Sequence, residues 1–503
     1  MNDDRKFTLL ATLWTLIISI VEVWKYLNLN DSFDLGDFTQ AVWSSTKGLP
    51  LLIYSTPWNT SCWPAHYCPD SFLAEHFMPL LFGITPFYAL DPTPIVLLLF
   101  QSLALGLSVI PVYLFGKRVL DSRLALLFSF AYLCNPLLIM SSLNDFHVEI
   151  FLIPTLAFTF YYGYFKNWKW FTVSAILACL VMEEAPFLVA SIILFLIWDK
   201  KFIGRRQVLL AVVGLGLVGS YYILVSHLQA YFGYAFTNGV DSRFESNWQI
   251  LGATSLVDVI PQALTHPALA WQALTYLWPW KFIFTSLLFG GSFFLAIVKP
   301  KSLIMWLPWN LPILFSNYIG YFSPYNFYIA FTFFFVFPMA MVGYSDIKKR
   351  VWLFNTSIAK QYFVFALLFV AALNLLVPLL IVTPTINYAS SSDWRLLNSV
   401  PNNASFVSVS DAFPPLANRA DGIQVLLGGF ALNATPPSQL RDNTLLLQDF
   451  VKMYGLPDFV ILSQYSKNPY DYVTSQFLIE QLIVPDHYHS VMNSTRFQLY
   501  TYT

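Results

Sequence analysis

Charge is what this 503-residue chain has least of. Lys, Arg, Asp and Glu make up 11% of it, where a globular chain carries about 25%. The 27 basic and 28 acidic side chains nearly cancel, so net charge gives no global reason to hold a nucleic acid and no such partner is expected. Four cysteines are too few for a disulfide scaffold. There is no P-loop, no H-E-x-x-H helix and no Ser-His-Asp order. Disorder is excluded by the opposite extreme, since 57% of residues are hydrophobic and 18% aromatic. An α-helical polytopic membrane protein fits this composition.

Crossing the hydrocarbon core takes about 20 apolar residues of helix, because each backbone polar group must be satisfied within the segment. Residues 7–27 meet that length, and no small-residue cleavage site follows them, which predicts an uncleaved first span. Further runs at 94–116, 124–143, 150–165, 170–182, 185–198, 207–226, 276–298, 302–316, 327–344 and 361–383 bring the expectation to about eleven transmembrane helices. Basic clusters at Arg5/Lys6, Lys117/Arg118/Arg123, Lys166/Lys169, Lys200/Lys201/Arg205/Arg206, Lys299/Lys301 and Lys348/Lys349/Arg350 fall where alternating spans return to the cytoplasm. The N-terminus is therefore expected inside the cell, and loops 28–93 and 227–275 outside. Glu183 and Glu184 divide 170–182 from 185–198, read as two short helices rather than one long span with a buried acidic pair.

Residues 1–383 form the expected membrane domain and 384–503 a small exoplasmic α/β domain. Apolar runs at Phe406–Ser410, Ile423–Leu427 and Phe459–Ser463 alternate with helical stretches and suggest a parallel sheet, closed by a hairpin at 487–503. Sequons at Asn30, Asn59, Asn403, Asn433 and Asn493 fall outside and are candidate glycosylation sites, whereas Asn355 falls inside. Cys62 and Cys68 share the first outside loop, where a disulfide is permitted. His66 between them leaves poor tetrahedral geometry for a metal. Gly214-Leu-Gly216-Leu-Val-Gly219 matches the dinucleotide fingerprint but lies within an apolar span, without strand or βαβ unit. Its small residues are expected to let helices pack closely.

Acidic residues gather where the first six spans meet the outside. Asp34 and Asp37 open an Asp-x-Gly-Asp stretch that also reads as a helix start with acidic residues in its first turn. Glu75-His76 precedes an apolar run, Asp145-Phe-His147-Val-Glu149 joins two spans, and Glu183-Glu184 needs a cation, a metal or water at membrane depth. Such a set suits acid/base chemistry or metal binding beside a lipid-linked substrate. It equally suits a cation-coupled transporter.

Several motifs then point to a family. Asp34-Leu-Gly36…Gln40…Trp43, Glu75-His76-Phe-Met-Pro79, Gln101…Pro111-Val-Tyr113, Asp145-Phe-His147 and Glu183-Glu184 resemble prokaryotic polytopic membrane proteins catalogued as a domain of unknown function, number twenty seventy-nine. Pro401-Asn-Asn-Ala-Ser…Pro415-Leu-Ala-Asn418-Arg419 carries the resemblance into the tail. That family looks like a distant branch of the GT-C glycosyltransferases, which take a sugar from a polyprenyl-phosphate donor on the exoplasmic side. The resemblance implies an inverting transfer in which Asp34, or Asp37 in its place, deprotonates the acceptor. Gln40, His76, Asp145, His147, Glu183, Glu184 and Arg243 would bind substrate, with Lys281 a further cation for the leaving phosphate, and a divalent cation is a candidate cofactor. Partners implied are membrane lipid, a polyprenyl-phosphate sugar and an envelope glycan or protein acceptor. The family often has Lys-Glu-Asp where this chain has Met182-Glu183-Glu184, and a His-Tyr pair near 321–328. Those departures keep open a non-catalytic scaffold or lipid transporter.

Overall fold

The computed structural model describes residues 2–31, 33–54, 70–199, 204–237, 247–253, 258–351, 356–382, 387–425, 447–448, 450–452, 455–464 and 469–502. Cys62, Cys68, His66, Asn59, Asn355, Asn433 and Arg243 lie outside the described residues.

Helix α1 (Asp3–Leu27) starts where the Asn2 side chain accepts a hydrogen bond from the Arg5 backbone N–H, with Asp3 and Asp4 in the first turn, where the helix dipole favours negative charge. Its outer row, Leu9, Leu13, Leu16, Ile17 and Ile20, is exposed. An unbroken apolar row of this kind is the lipid-facing stripe of a span. The opposite face packs on α4 (Pro94–Val119), where a Cβ at Gly106 would collide with Thr15 Oγ1. Lack of a side chain at Gly106 is what lets the two helices approach.

Among the described residues, four helices are long and apolar enough to cross a membrane: Asp3–Leu27, Pro94–Val119, Gln207–Gly233 and Ser357–Pro378. A fifth span arises if α5 (Ser122–Leu133) and α6 (Pro136–Ser142), bent by 50° at their junction, are taken together. The other expected spans are shorter or broken. Residues 276–298 and 302–316 give a helix at Trp278–Gly290, 3₁₀ turns and a short helix at Leu307–Ile313. Left-handed backbone at Phe293 and Phe294 and the prolines Pro300, Pro308 and Pro312 stop regular helix there. Glu183 and Glu184 do lie in a break, between α8 (Trp168–Cys179) and α9 (Ala185–Trp198), as two short helices require.

Ion pairs bring several basic clusters to one end of the bundle: Lys117 Nζ lies 2.7 Å from Asp4 Oδ1, Lys299 Nζ 3.3 Å from Asp199 Oδ1 and Lys360 Nζ 3.1 Å from Asp121 Oδ2. The tail sits at the other end, where α1 finishes.

The glycine run of α10 (Arg205–Thr237) does not pack as expected. A Cβ at Gly216 or Gly219 would meet nothing within 4 Å, and one at Gly214 only Ile193 Cδ1 at 3.4 Å. Around these glycines α10 is open, and an apolar cavity of about 580 Å³ lies between it, α8 and α9.

The tail begins with α14 (Ser391–Asn398), started by a capping box in which Ser390 and Asp393 satisfy each other's backbone N–H. Its sheet has five strands: β1 (Phe406–Val409), β2 (Gly422–Val425), β3 (Phe459–Ser463), β4 (His489–Asn493) and β5 (Phe497–Thr501). The order is β2-β1-β3-β5-β4, with β1 parallel to β2 and β3, and β5 antiparallel to β3 and β4. The three expected apolar runs and the closing hairpin are all present. Successive side chains serve opposite faces: Val407, Val460 and Leu462 join one core, Phe406, Ile461 and Leu499 the other. Arg496 fastens the tail to the bundle, donating to the Asn28 carbonyl at 2.8 Å and to Asp411 Oδ2 at 2.9 Å.

Candidate active site

Helix α2 (Phe33–Thr46) follows α1 after a short turn and presents different faces to two parts of the protein. One face meets the tail. Gln424 Nε2, on β2, donates to Asp37 Oδ1 at 2.8 Å and to the Phe33 carbonyl at 3.0 Å. Gln40 Nε2 donates to the Arg419 carbonyl at 2.8 Å, and its Oε1 accepts from the Tyr54 N–H at 2.6 Å. A Cβ on Gly36 would stand 2.5 Å from Phe413 Cδ1. Overpacking costs about 1–3 kcal/mol, so Gly36→Ala should lower the denaturation midpoint in detergent by a matching amount and expose the tail to protease. An unchanged midpoint with an intact tail contradicts this docking.

Asp34 is on the other side. Its carboxyl is 47% accessible, and Oδ2 lies 3.5 Å from His147 Nε2. Asp37 is buried against Gln424, so of the two expected bases only Asp34 offers an open carboxyl. Surrounding protein disfavours its charge and raises its pKa well above the usual carboxylate range, and the charges of Asp145, Asp37 and Glu149 add to that. A carboxylate raised in this way is a stronger base than a free one.

His147 begins the 3₁₀ turn Val148–Phe151. Its ring stacks on Phe327 at 3.9 Å and its backbone N–H donates to Gln101 Oε1 at 2.8 Å. Burial, with the nearby Lys25 charge, holds its pKa down at about 3. His147 is therefore neutral near pH 7, and its 3.5 Å approach to Asp34 and 3.8 Å approach to Glu149 are dipolar contacts, not ion pairs.

The third element is the break between α8 and α9. Glu183 Oε1 lies 2.7 Å from His76 Nδ1, and Oε2 accepts from the Phe77 N–H at 2.8 Å. Burial opposes charge on His76, but Glu183, with Glu184 and Glu149 behind it, outweighs burial and raises the imidazole to about 10. Burial and then Glu183 raise Glu184 to about 8, and burial raises Glu149 to about 7. One ligand atom from each of His76, Glu183 and Glu184 lies within 4.8 Å of the others. Glu184 Oε2 and Glu149 Oε2 are buried and accept no hydrogen bond from the described residues. One imidazole nitrogen and two carboxylates, with buried oxygens to spare, fit a divalent cation. Asp34, His147, Glu149, His76 and Glu183 thus form one continuous group, each within reach of the next or of its field.

Lys25 and Gln424, which the sequence did not single out, support this group together with Gln101. Lys25, in the last turn of α1, donates to Asp31 Oδ1 and lies 3.6 Å from Asp145 Oδ1. Gln101 Nε2 donates to the Asp145 carbonyl at 3.4 Å, so Asp145 lies in the supporting layer beneath His147. A lysine six residues before an aspartate across a helix end was the available signal. Gln424 could have been noticed as a polar residue in an otherwise apolar strand. Lys281 is not at the site: its Nζ donates to the Ala273 carbonyl at 2.8 Å and the Leu314 carbonyl at 2.6 Å. Those carbonyls close a helix end and consume its donors. Of the sequons, Asn403 and Asn493 are exposed, while the Asn30 amide exchanges hydrogen bonds with the Asn387 backbone in both directions at 2.8 Å. A glycan on Asn30 would break that pairing.

A sequence profile of the family described as predicted membrane protein (DUF2079) matches residues 25–452. No curated protein sequence matches the chain. Among solved structures, ArnT from Cupriavidus metallidurans bound to undecaprenyl phosphate superposes with a TM-score of 0.52 at 14% identity, over 98% of each chain. The Archaeoglobus fulgidus oligosaccharyltransferase in complex with Zn and sulfate gives a TM-score of 0.44 at 15% identity, over 90% of this chain and 68% of that one. The first of these likenesses carries the fold, that of the GT-C membrane glycosyltransferases.

Proposed function

This chain belongs to the DUF2079 family of predicted membrane proteins, and on that premise we propose that it is an inverting glycosyltransferase of the cell membrane. It takes a sugar from a polyprenyl-phosphate donor and passes it to an envelope glycan or protein on the outer face, with the N-terminus inside and the tail outside. The observation that carries the reading is the open Asp34 carboxyl, raised in pKa and joined through His147 and Glu149 to the His76–Glu183–Glu184 group. Likeness of fold to a protein whose structure holds undecaprenyl phosphate agrees with it.

Asp34 takes the proton of the acceptor hydroxyl, and the freed oxygen attacks the anomeric carbon from the side opposite the lipid phosphate. Charge then grows on the departing phosphate and needs a donor or cation beside it. The His76 imidazolium supplies one, and Glu183 holds it in place. Neutral His147 borders Asp34 without neutralising it, which preserves the base. A divalent cation held by His76, Glu183 and Glu184 would take the place of the imidazole proton and supply Lewis-acid stabilisation to the same phosphate in the imidazolium's stead.

Such a cation competes with protons on its ligands. His76 keeps its proton up to about pH 10 and Glu184 up to about pH 8, so cation affinity should fall as pH drops from 10, and more steeply below 8, by about tenfold per unit for each proton displaced. Isothermal titration of Mn²⁺ or Zn²⁺ into the purified protein at pH 6, 7 and 8 measures this, and a flat profile contradicts ligation by Glu184. The function itself is tested by giving membranes that contain the protein a radiolabelled polyprenyl-phosphate sugar. Label should move from the lipid to a non-lipid product, and label that stays in the lipid fraction for a panel of donor sugars overturns the reading.

A further inference from the structure

A second pocket lies on the face of the membrane that carries the tail, away from the group just described. Its volume is about 530 Å³, within the range that holds a small ligand. Its walls come from the end of α2, from the end of α3 (Leu81–Leu90) and the turn after it, and from the tail segment 402–419. Trp43 and Asp34 are nine residues apart on α2, about two and a half turns, so they occupy opposite sides of the helix. The pocket is therefore distinct from the Asp34 site and does not rest on the function proposed for it.

The walls are held before any ligand arrives. Asn418 accepts from the Tyr88 hydroxyl at 2.5 Å and donates to the Pro92 carbonyl at 2.6 Å, which ties α3 to the tail. Arg419 is buried, donates to the Pro401 and Ala404 carbonyls at 2.8 and 2.9 Å, and stacks 5.0 Å from the Phe406 ring. Its charge is thereby fixed in the wall. Lys47 and Asn402 are exposed at the rim, with the Lys47 ammonium 5.9 Å from the Trp43 ring centre. Among the described residues the lining holds two cations, amides, an aromatic ring and prolines, and no carboxylate.

We propose that this pocket binds an acidic saccharide. The apolar edges of Trp43, Pro92 and Pro415 suit the C–H faces of a pyranose, the Asn402 amide suits ring hydroxyls, and Lys47 with Arg419 supplies the field for a carboxylate or phosphate group. Asp421 acts on Arg419 from outside the lining, and the Lys47 and Arg419 charges together favour a charged sugar over a neutral one. The site gives the protein a hold on an anionic surface glycan, independent of its chemistry at Asp34.

The test is isothermal titration of the full-length protein in zwitterionic nanodiscs, with tetragalacturonate as the probe. Tetragalacturonate should bind, maltotetraose should bind at least tenfold more weakly, and Lys47→Gln and Asn402→Ala, both at exposed positions, should each weaken tetragalacturonate at least fivefold. Asp34→Asn should leave the affinity unchanged, which separates this result from any failure of the transferase reading. No binding, equal affinity for maltotetraose, or full affinity in Lys47→Gln overturns the proposal. So does inorganic phosphate binding as tightly as the saccharide, which would mark a plain anion site. Loss of saccharide binding when phosphatidylglycerol enters the nanodisc would reassign the pocket to a lipid headgroup and also overturn it.

Discussion

Asp34→Asn should lower sugar transfer by about 10²–10⁴-fold, the range for loss of a positioned general base, with little change in stability. The second half of that expectation follows from position: the Asp34 carboxyl is 47% accessible and, among the described residues, bears none of the hydrogen bonds that join α2 to the tail. Asparagine keeps the shape and removes the proton acceptor. Asp37→Asn should behave differently, because Asp37 accepts from Gln424 Nε2 across the α2–tail contact. Its effect should be a lower denaturation midpoint, with the transfer that survives retaining the wild-type pH dependence. Reversed outcomes, a destabilised but fully active Asp34 variant and a stable inactive Asp37 variant, would exchange the two roles.

Glu183→Ala has the second large effect. Glu183 is 11% exposed and His76 22%, and removing one partner of a buried pair costs about 3–5 kcal/mol because the other charge is stranded. Three consequences should appear together: a lower denaturation midpoint, loss of cation binding, and loss of transfer. His76→Gln should be milder in stability, since it removes the charge with its partner still bonded to the Phe77 N–H. Cation binding that survives in both variants would remove the His76–Glu183–Glu184 site from the account.

Much of this was readable in the order of residues, for a physical reason. In a chain with so few charges, each charged group at membrane depth needs a cause, so Asp34, His76, Asp145, His147, Glu183 and Glu184 stood out at once. The tail's strands were legible because short apolar runs between prolines alternate cleanly. Which carboxylate is open was not legible: Asp34 and Asp37 are one helical turn apart, and it is the tail's Gln424 and Phe413, nearly four hundred residues later, that cover the Asp37 side of α2. Nor could spacing reveal that burial keeps His147 neutral, or that Lys281 is occupied by carbonyls. The regularity of the 276–298 span escaped for the same reason, since hydropathy does not register the left-handed Phe293 and Phe294 that break a run of apolar residues. The glycines of α10 show it in reverse: Gly214 lines a cavity, and a Cβ at Gly216 or Gly219 would meet nothing within 4 Å.

The most direct measurement is a cryo-electron microscopy structure of the wild-type protein in nanodiscs with a polyprenyl phosphate. The lipid phosphate should appear beside His76 and Glu183, with Asp34 facing the space an acceptor would occupy. A phosphate bound elsewhere, with the Asp34–His147 and His76–Glu183 groups unchanged and empty, would contradict it.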